Sequence, residues 1–130
     1  MTNYLLDTTI LIEYLRGKKP AVNFITALIR HGHRLCVCCV NVAELYSGLS
    51  REQGAKAKLL IDALDYCDAT PDAAIQAGIY RYEFARQGIS LSVTDTLVAA
   101  IAKANDAIIV TANTRHYPMK DITAQHYPTS

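Results

Sequence analysis

Short apolar runs alternate with longer helical segments along the whole chain, and this alternation constrains the fold more than any other feature. The runs that favour strands are, in chain order, 3–7, 35–40, 67–70, 107–111 and 121–126. The segments that favour helices are 8–15, 21–30, 41–49, 52–65, 71–87 and 95–105. Strands that alternate with helices form a mainly parallel sheet with helices packed on it. With 130 residues, the chain is predicted to be a single α/β sandwich domain, residues 1–130.

Hydrophobic periodicity predicts which face of each helix is buried. In helix 21–30 the shared apolar face consists of Val22, Ile25, Leu28 and Ile29. In helix 52–65 the predicted core stripe consists of Leu59, Leu60, Ala63 and Leu64. Helix 95–105 is apolar nearly all round, which is typical of a helix enclosed by other elements.

Composition excludes several classes of protein. A formal net charge of +1 excludes a strongly basic protein that coats nucleic acid, although it allows a local basic patch. The apolar runs fall far short of the roughly 20 residues that a membrane helix needs. Asp7 and Glu13 interrupt the apolar residues near the start, so no signal peptide is expected there. A cytoplasmic protein without membrane contact is therefore predicted.

Four cysteines are concentrated in one predicted strand, with Cys36, Cys38 and Cys39 close together and Cys67 apart. Neighbours along a strand point to opposite faces and are poorly placed to form a disulfide. Their spacing differs from that of a paired C-x-x-C zinc site. We interpret them as small apolar residues of a buried strand, with a zinc site as the alternative.

Polar residues follow the predicted strands at the edge where parallel sheets bind ligands. They are Asp7, Glu44, Thr111 and Asn113, and a further acid, Asp95, opens the predicted helix 95–105. Four of these five residues have an ordinary structural explanation: a helix cap for Asp7, a solvated helix face for Glu44, compensation of the helix dipole for Asp95, and a turn for Asn113.

The carboxylates of Asp7, Glu44 and Asp95, taken together, suggest a binding site for a cation, which their separate structural explanations do not. Carboxylates crowded in a partly buried site repel one another, and a bound cation relieves that repulsion. Oxygen ligands without a histidine cluster favour Mg²⁺ or Mn²⁺ over zinc. Such an ion activates water and stabilises charge on a phosphoryl oxygen, so the pattern predicts metal-assisted hydrolysis of a phosphodiester.

Four stretches resemble, in order and spacing, the PIN-domain ribonucleases and especially the VapC-type toxins of bacterial toxin–antitoxin pairs. They are residues 4–9 (YLLDTT), 42–48 (VAELYSG), 94–100 (TDTLVAA) and 110–117 (VTANTRHY). The resemblance implies a three-layer α/β/α sandwich and a Mg²⁺- or Mn²⁺-dependent endoribonuclease that cleaves RNA. It also implies a homodimer, inhibited by an antitoxin whose C-terminal segment occupies the active groove.

The resemblance assigns roles to individual residues. Asp7, Glu44 and Asp95 match the acids that bind the metal, and Thr111 and Asn113 match the polar pair near the metal or the scissile phosphate. Many relatives carry a further acid three residues after the asparagine, where this chain has His116. A neutral imidazole replaces a carboxylate poorly on Mg²⁺, although it can bind Mn²⁺ or carry a proton. We therefore expect one firmly held ion.

RNA binding requires cations that contact the phosphates. The candidates are Arg16, Arg51, Arg81 and Arg86, with His116 beside the predicted metal site. Tyr80 and Tyr82 alternate with Arg81 and could stack on bases. The alternative is a solvated helix face whose tyrosines lie in the core or at a dimer interface.

Three other functions are weighed against the nuclease. A haloacid-dehalogenase-type phosphatase needs a second aspartate two places after Asp7, where the chain has Thr9. A receiver domain needs a lysine after a late strand, and residues 111–113 contain none. A catalytically weak PIN-like module that only binds RNA or a protein partner stays open as the alternative.

Overall fold

The computed structural model describes residues 1–128, and within them a central sheet of five strands. The strands are β1 Asn3–Leu6, β2 Arg34–Cys38, β3 Asp65–Cys67, β4 Ala107–Thr111 and β5 Ala124–His126. Their order across the sheet is β3-β2-β1-β4-β5, and every neighbouring pair is parallel. In the middle of the sheet, Leu5 of β1 pairs with Cys36 of β2 and with Ile109 of β4.

Helices cover both faces of this sheet. They are α1 Thr8–Leu15, α2 Lys19–Arg30, α3 Cys39–Ser47, α4 Arg51–Ala63, α5 Pro71–Ala85 and α6 Val93–Ala104. Because successive strand residues point to opposite faces, Leu5 packs in one core with α5 and α6, whereas Leu6 packs in the other with α1 and α2. This arrangement confirms the predicted α/β/α sandwich with a parallel sheet.

The predicted boundaries of three strands were wrong. β2 ends at Cys38 and not at residue 40, because the side-chain oxygen of Asn41 accepts a hydrogen bond from the Cys38 backbone N–H and Cys39 begins α3. β3 covers residues 65–67, not 67–70. β5 covers only residues 124–126 of the predicted 121–126.

The predicted starts of three helices were also wrong. α3 begins at Cys39, not at residue 41. α6 begins at Val93, not Asp95, because the Ser92 hydroxyl caps it by accepting a hydrogen bond from the Asp95 N–H at 3.0 Å. α2 begins at Lys19 and includes Pro20 in its first turn, where a missing N–H costs nothing.

Three predicted core residues lie on the surface. Leu59 on α4 is 74% exposed and Ile29 on α2 is 58% exposed. Ala63 on α4 is exposed as well, whereas Ala57 is the fully buried residue of that helix. The prediction for α6 is confirmed, because Val98, Ala99 and most of its other apolar residues are buried.

The cysteines match the interpretation as buried apolar residues. Cys36, Cys38 and Cys67 are buried free thiols. Burial raises the pKa of Cys36 to about 12 and that of Cys38 to about 11, so these thiols are unreactive. Within residues 1–128, no three His, Cys, Asp or Glu side chains form a ready-made metal cluster, which leaves the zinc alternative without support.

No helix in the described part of the chain is both long enough and apolar enough to cross a membrane.

Candidate functional site

Asp7 lies where β1 ends, at the carboxyl edge of the sheet, and its two carboxylate oxygens face different groups. Oδ1 accepts a hydrogen bond from the backbone N–H of Thr8 at 2.9 Å and thereby caps α1. Oδ2 accepts from the hydroxyl groups of Thr111 at 2.9 Å and Tyr117 at 3.0 Å. The helix-cap explanation is therefore correct for one oxygen only, and the other belongs to a polar cluster.

Tyr117 lies at the centre of this cluster. It follows a 3-10 turn at Thr114–His116 and is 5% exposed. Burial raises its pKa far above the usual range, and the negative charges of Asp7, Asp95 and, more weakly, Glu44 raise it further. All three acids therefore lie close enough to act on the Tyr117 hydroxyl.

Glu44 lies on the exposed side of α3 and is connected to Asp7 through one residue. The Thr8 hydroxyl donates to Oε1 of Glu44 at 2.8 Å, while the Thr8 backbone N–H donates to Asp7. The solvated-face explanation of Glu44 is correct, yet this face borders the polar cluster.

Asp95 reaches the cluster from the first turn of α6, where its side chain is 27% exposed. Its Oδ2 lies 3.5 Å from Nδ1 of His116, and Nε2 of His116 lies 2.8 Å from the side-chain nitrogen of Asn113. The Asn113 backbone N–H donates to the Thr111 hydroxyl at 3.1 Å. A continuous series of contacts thus connects Asp95 to Asp7.

Sequence analysis missed two residues of this site. Asn41 is fully buried, and its side-chain nitrogen lies 3.4 Å from Oδ1 of Asp7 while its oxygen accepts from Cys38. Asn41 could have been found as the first polar residue after β2. Tyr117 is the last residue of the stretch 110–117, which carries the family resemblance. Its hydroxyl can form hydrogen bonds while its ring is buried, and this could have drawn attention to it.

Within residues 1–128, the three acids have no lysine or arginine partner within 4.0 Å. The imidazole of His116 lies beside Asp95. Carboxylate oxygens without cationic partners are suitable donors for a hard divalent cation. Within residues 1–128, however, no three His, Cys, Asp or Glu side chains come close enough together to hold a metal ion, so the metal-binding roles of the three acids stay predictions.

The predicted RNA-binding cations are spread over several surfaces. Arg81 on α5 donates from Nε to the Leu91 carbonyl at 2.9 Å, close to the start of α6. Arg86 lies over the Tyr82 ring and donates to its hydroxyl at 3.0 Å. Arg51 is exposed at the start of α4, and Arg16 ends α1. These positions do not form one patch, and the RNA-binding roles stay predictions.

A groove of about 310 Å³ adjoins the site between α1, α3 and α4. Its lining includes Glu44 and the basic residues Arg16 and Lys56, and its apolar members are Ile12, Leu15, Leu45 and Leu49. A second cavity continues past Leu15 and Lys56 to the exposed Leu59. The groove is therefore lined by apolar, basic and acidic side chains, and Glu44 is the residue that it shares with the site.

The fold and this acidic edge define a known class: residues 4–122 match the PIN domain, and the chain belongs to the PIN domain family. Ribonuclease VapC19 of Mycobacterium tuberculosis is 32% identical over 117 residues, which are 88% of this chain and 92% of that protein. The tRNA(fMet)-specific endonuclease VapC of Shigella flexneri is 34% identical over 125 residues, 90% and 91% of the two chains. The predicted family is thereby confirmed.

A solved structure has the same fold. The chain superposes on one from VapBC2 of Rickettsia felis, crystallised on a DNA fragment from the VapBC2 promoter, with a TM-score of 0.87. The sequence identity is 20%, and the match covers 98% of this chain and 100% of that one.

Proposed function

We propose that this chain is a metal-dependent endoribonuclease and the toxin of a toxin–antitoxin pair, acting in the cytoplasm where its RNA substrate is found. The observation that carries this proposal is the series of contacts that connects the carboxylates of Asp7, Glu44 and Asp95 at one edge of the sheet. They lie at the ligand-binding edge of a PIN domain whose relatives are named ribonucleases.

In this proposal, Asp7, Glu44 and Asp95 hold one Mg²⁺ or Mn²⁺ ion. Such an ion, when bound, makes water a stronger nucleophile and stabilises charge on the phosphate. Thr111 keeps Asp7 oriented through the hydrogen bond to Oδ2. The Asn113 side chain is exposed. Its amide can donate to a phosphate when its contact with Nε2 of His116 is broken.

Removing divalent metal is expected to abolish RNA cleavage. The purified chain should cleave RNA with millimolar Mg²⁺ or Mn²⁺, stop with EDTA, and recover when either ion is added in excess, because the acids alone cannot stabilise a phosphate they repel. Gel analysis of end-labelled RNA measures this. RNA binding without cleavage in both ions would favour the alternative, a PIN-like module that only binds.

The proposed antitoxin occupies the groove that adjoins Glu44. A groove lined by four apolar side chains together with Arg16 and Lys56 fits an amphipathic protein segment with acidic groups better than it fits bare RNA. Structural neighbours include VapBC assemblies and a toxin–antitoxin complex, which supports a partner chain of this kind.

Leu59→Asp is expected to weaken antitoxin binding about tenfold, since truncating an apolar contact costs about 1–2 kcal/mol at such interfaces. Leu59 is 74% exposed, so the substitution should spare the fold. Ile29→Asp, on the exposed face of α2 and outside the groove, is the matched control. Calorimetric titration with the antitoxin measures both; equal binding by both variants would contradict the placement.

The proposed homodimer forms through α5. Its exposed apolar side continues into the start of α6 and consists of Ile75, Ile79, Tyr82, Ile89 and Val93. Exposed apolar groups of this extent commonly mark a protein interface. Light scattering that gives only the 14.3 kDa monomer at micromolar concentration would contradict this part of the proposal.

A further inference from the structure

Two hydroxyl groups hold a single oxygen of Asp7. Tyr117 and Thr111 both donate to Oδ2, at 3.0 and 2.9 Å. They come from different places, because Thr111 is the last residue of β4 and Tyr117 follows the 3-10 turn. Any rotation of the carboxylate would break both hydrogen bonds.

The other oxygen of Asp7 is held from the opposite side. Oδ1 accepts from the Thr8 backbone N–H at 2.9 Å, and the side-chain nitrogen of Asn41 lies 3.4 Å away. Tyr117 is therefore one of four groups that contact the Asp7 carboxylate. Within residues 1–128, no lysine or arginine lies within 4.0 Å of that carboxylate.

We propose that Tyr117 is a positioning residue, whose hydroxyl fixes the Asp7 carboxylate in the orientation that binds the divalent cation. This inference rests on the proposed metal site. Groups that hydrogen-bond to metal ligands orient them, and removing one typically weakens metal affinity by about 10–100-fold. The Tyr117 ring packs in the hydrophobic core, whereas its hydroxyl donates a hydrogen bond to Asp7.

Tyr80 provides a matched comparison within the same chain. It is also buried, and its hydroxyl lies 3.0 Å from both oxygens of Asp121. Asp121 differs from Asp7 because Lys103 neutralises it at 2.6 Å and because it lies outside the site. Tyr80→Phe thus removes a comparable buried donor to a carboxylate without touching the proposed metal ligands.

The test is titration of the full chain with Mn²⁺, followed by the decrease of the free-ion electron paramagnetic resonance signal. Tyr117→Phe is expected to raise the Kd for Mn²⁺ by about 10–100-fold, and Tyr80→Phe by less than about twofold because second-shell effects are local. Saturating Mn²⁺ should restore the cleavage rate of Tyr117→Phe. Urea unfolding of each variant without metal shows that both are folded.

The outcomes distinguish this inference from the proposed function. If the wild type binds no Mn²⁺, the metal site fails and the positioning role fails with it. If the wild type binds Mn²⁺ and Tyr117→Phe binds it equally or more tightly, the positioning role alone is overturned. A weakening in Tyr80→Phe as large as in Tyr117→Phe would also overturn it, because the loss would then follow from stability.

Discussion

Replacing Asp7 with asparagine is expected to reduce the rate of RNA cleavage by about 1,000-fold, since a metal-centred charge stabilisation of roughly 4 kcal/mol would be lost. Asp7 is the acid that most other groups of the site contact: Thr8, Asn41, Thr111 and Tyr117 all direct donors at it. An amide is nearly the same size but carries no charge for a cation. Single-turnover cleavage at saturating Mg²⁺ measures the loss.

The fold should survive this substitution. Asparagine caps helices about as well as aspartate, so the hydrogen bond from the Thr8 N–H to the capping oxygen is kept. Asp106→Asn is the matched control, because Asp106 lies before β4, away from the carboxyl edge, in a left-handed conformation (φ 49°) that asparagine also adopts. Asp7→Asn cleaving within tenfold of Asp106→Asn would exclude Asp7 as a metal ligand.

The residues that sequence analysis found are those that follow strands. Asp7 and Thr111 lie at the ends of β1 and β4, and those strands are adjacent and parallel. Parallel strands place their carboxyl ends at one edge, so two residues more than a hundred positions apart meet by topology alone. Glu44 lies in the helix that directly follows β2, and Asp95 lies in the first turn of α6.

Tyr117 and Asn41 depend on local geometry that periodicity does not encode. Tyr117 reaches Asp7 because the 3-10 turn at Thr114–His116 bends the chain back over the end of β4. Asn41 is buried because it closes a capping box with Cys38, which also explains why β2 was predicted too long. An apolar run of cysteines and valines gives no signal of where a strand becomes a helix.

Leu59 shows a different limit of sequence analysis, because periodicity predicts it to be buried and the structure places it on the surface. Its spacing with Leu60 and Ala63 is that of a buried stripe, yet α4 buries Ala57 instead and leaves Leu59 beside the cavity that extends the groove. Periodicity identifies an apolar face without telling whether the same chain or another chain covers it. An apolar residue that the fold leaves exposed beside a groove thus indicates a surface that another chain can cover.

Asn41→Asp is expected to reduce the free energy of unfolding by about 4 kcal/mol at pH 7. This is the largest effect on stability that we expect from a substitution in the site. It arises because a buried carboxyl must be either ionised without a partner or protonated. Asn41 is fully buried, and its nitrogen lies 3.4 Å from the Asp7 carboxylate. The new carboxyl would face that charge, so its pKa would rise in the folded state above its unfolded value.

The sign of the pH dependence follows from this rise. The unfolded chain releases the proton more readily than the folded chain, so the penalty grows as the pH rises and disappears below the unfolded pKa. A protonated carboxyl can donate to Asp7 in place of the amide, so Asn41→Asp should approach wild-type stability in acid. Urea unfolding between pH 4 and 8 measures this, with the exposed Asn113→Asp as control. A penalty that is constant with pH, or equal in the two variants, would show that position 41 is hydrated and that Asn41 does not enclose the Asp7 carboxylate.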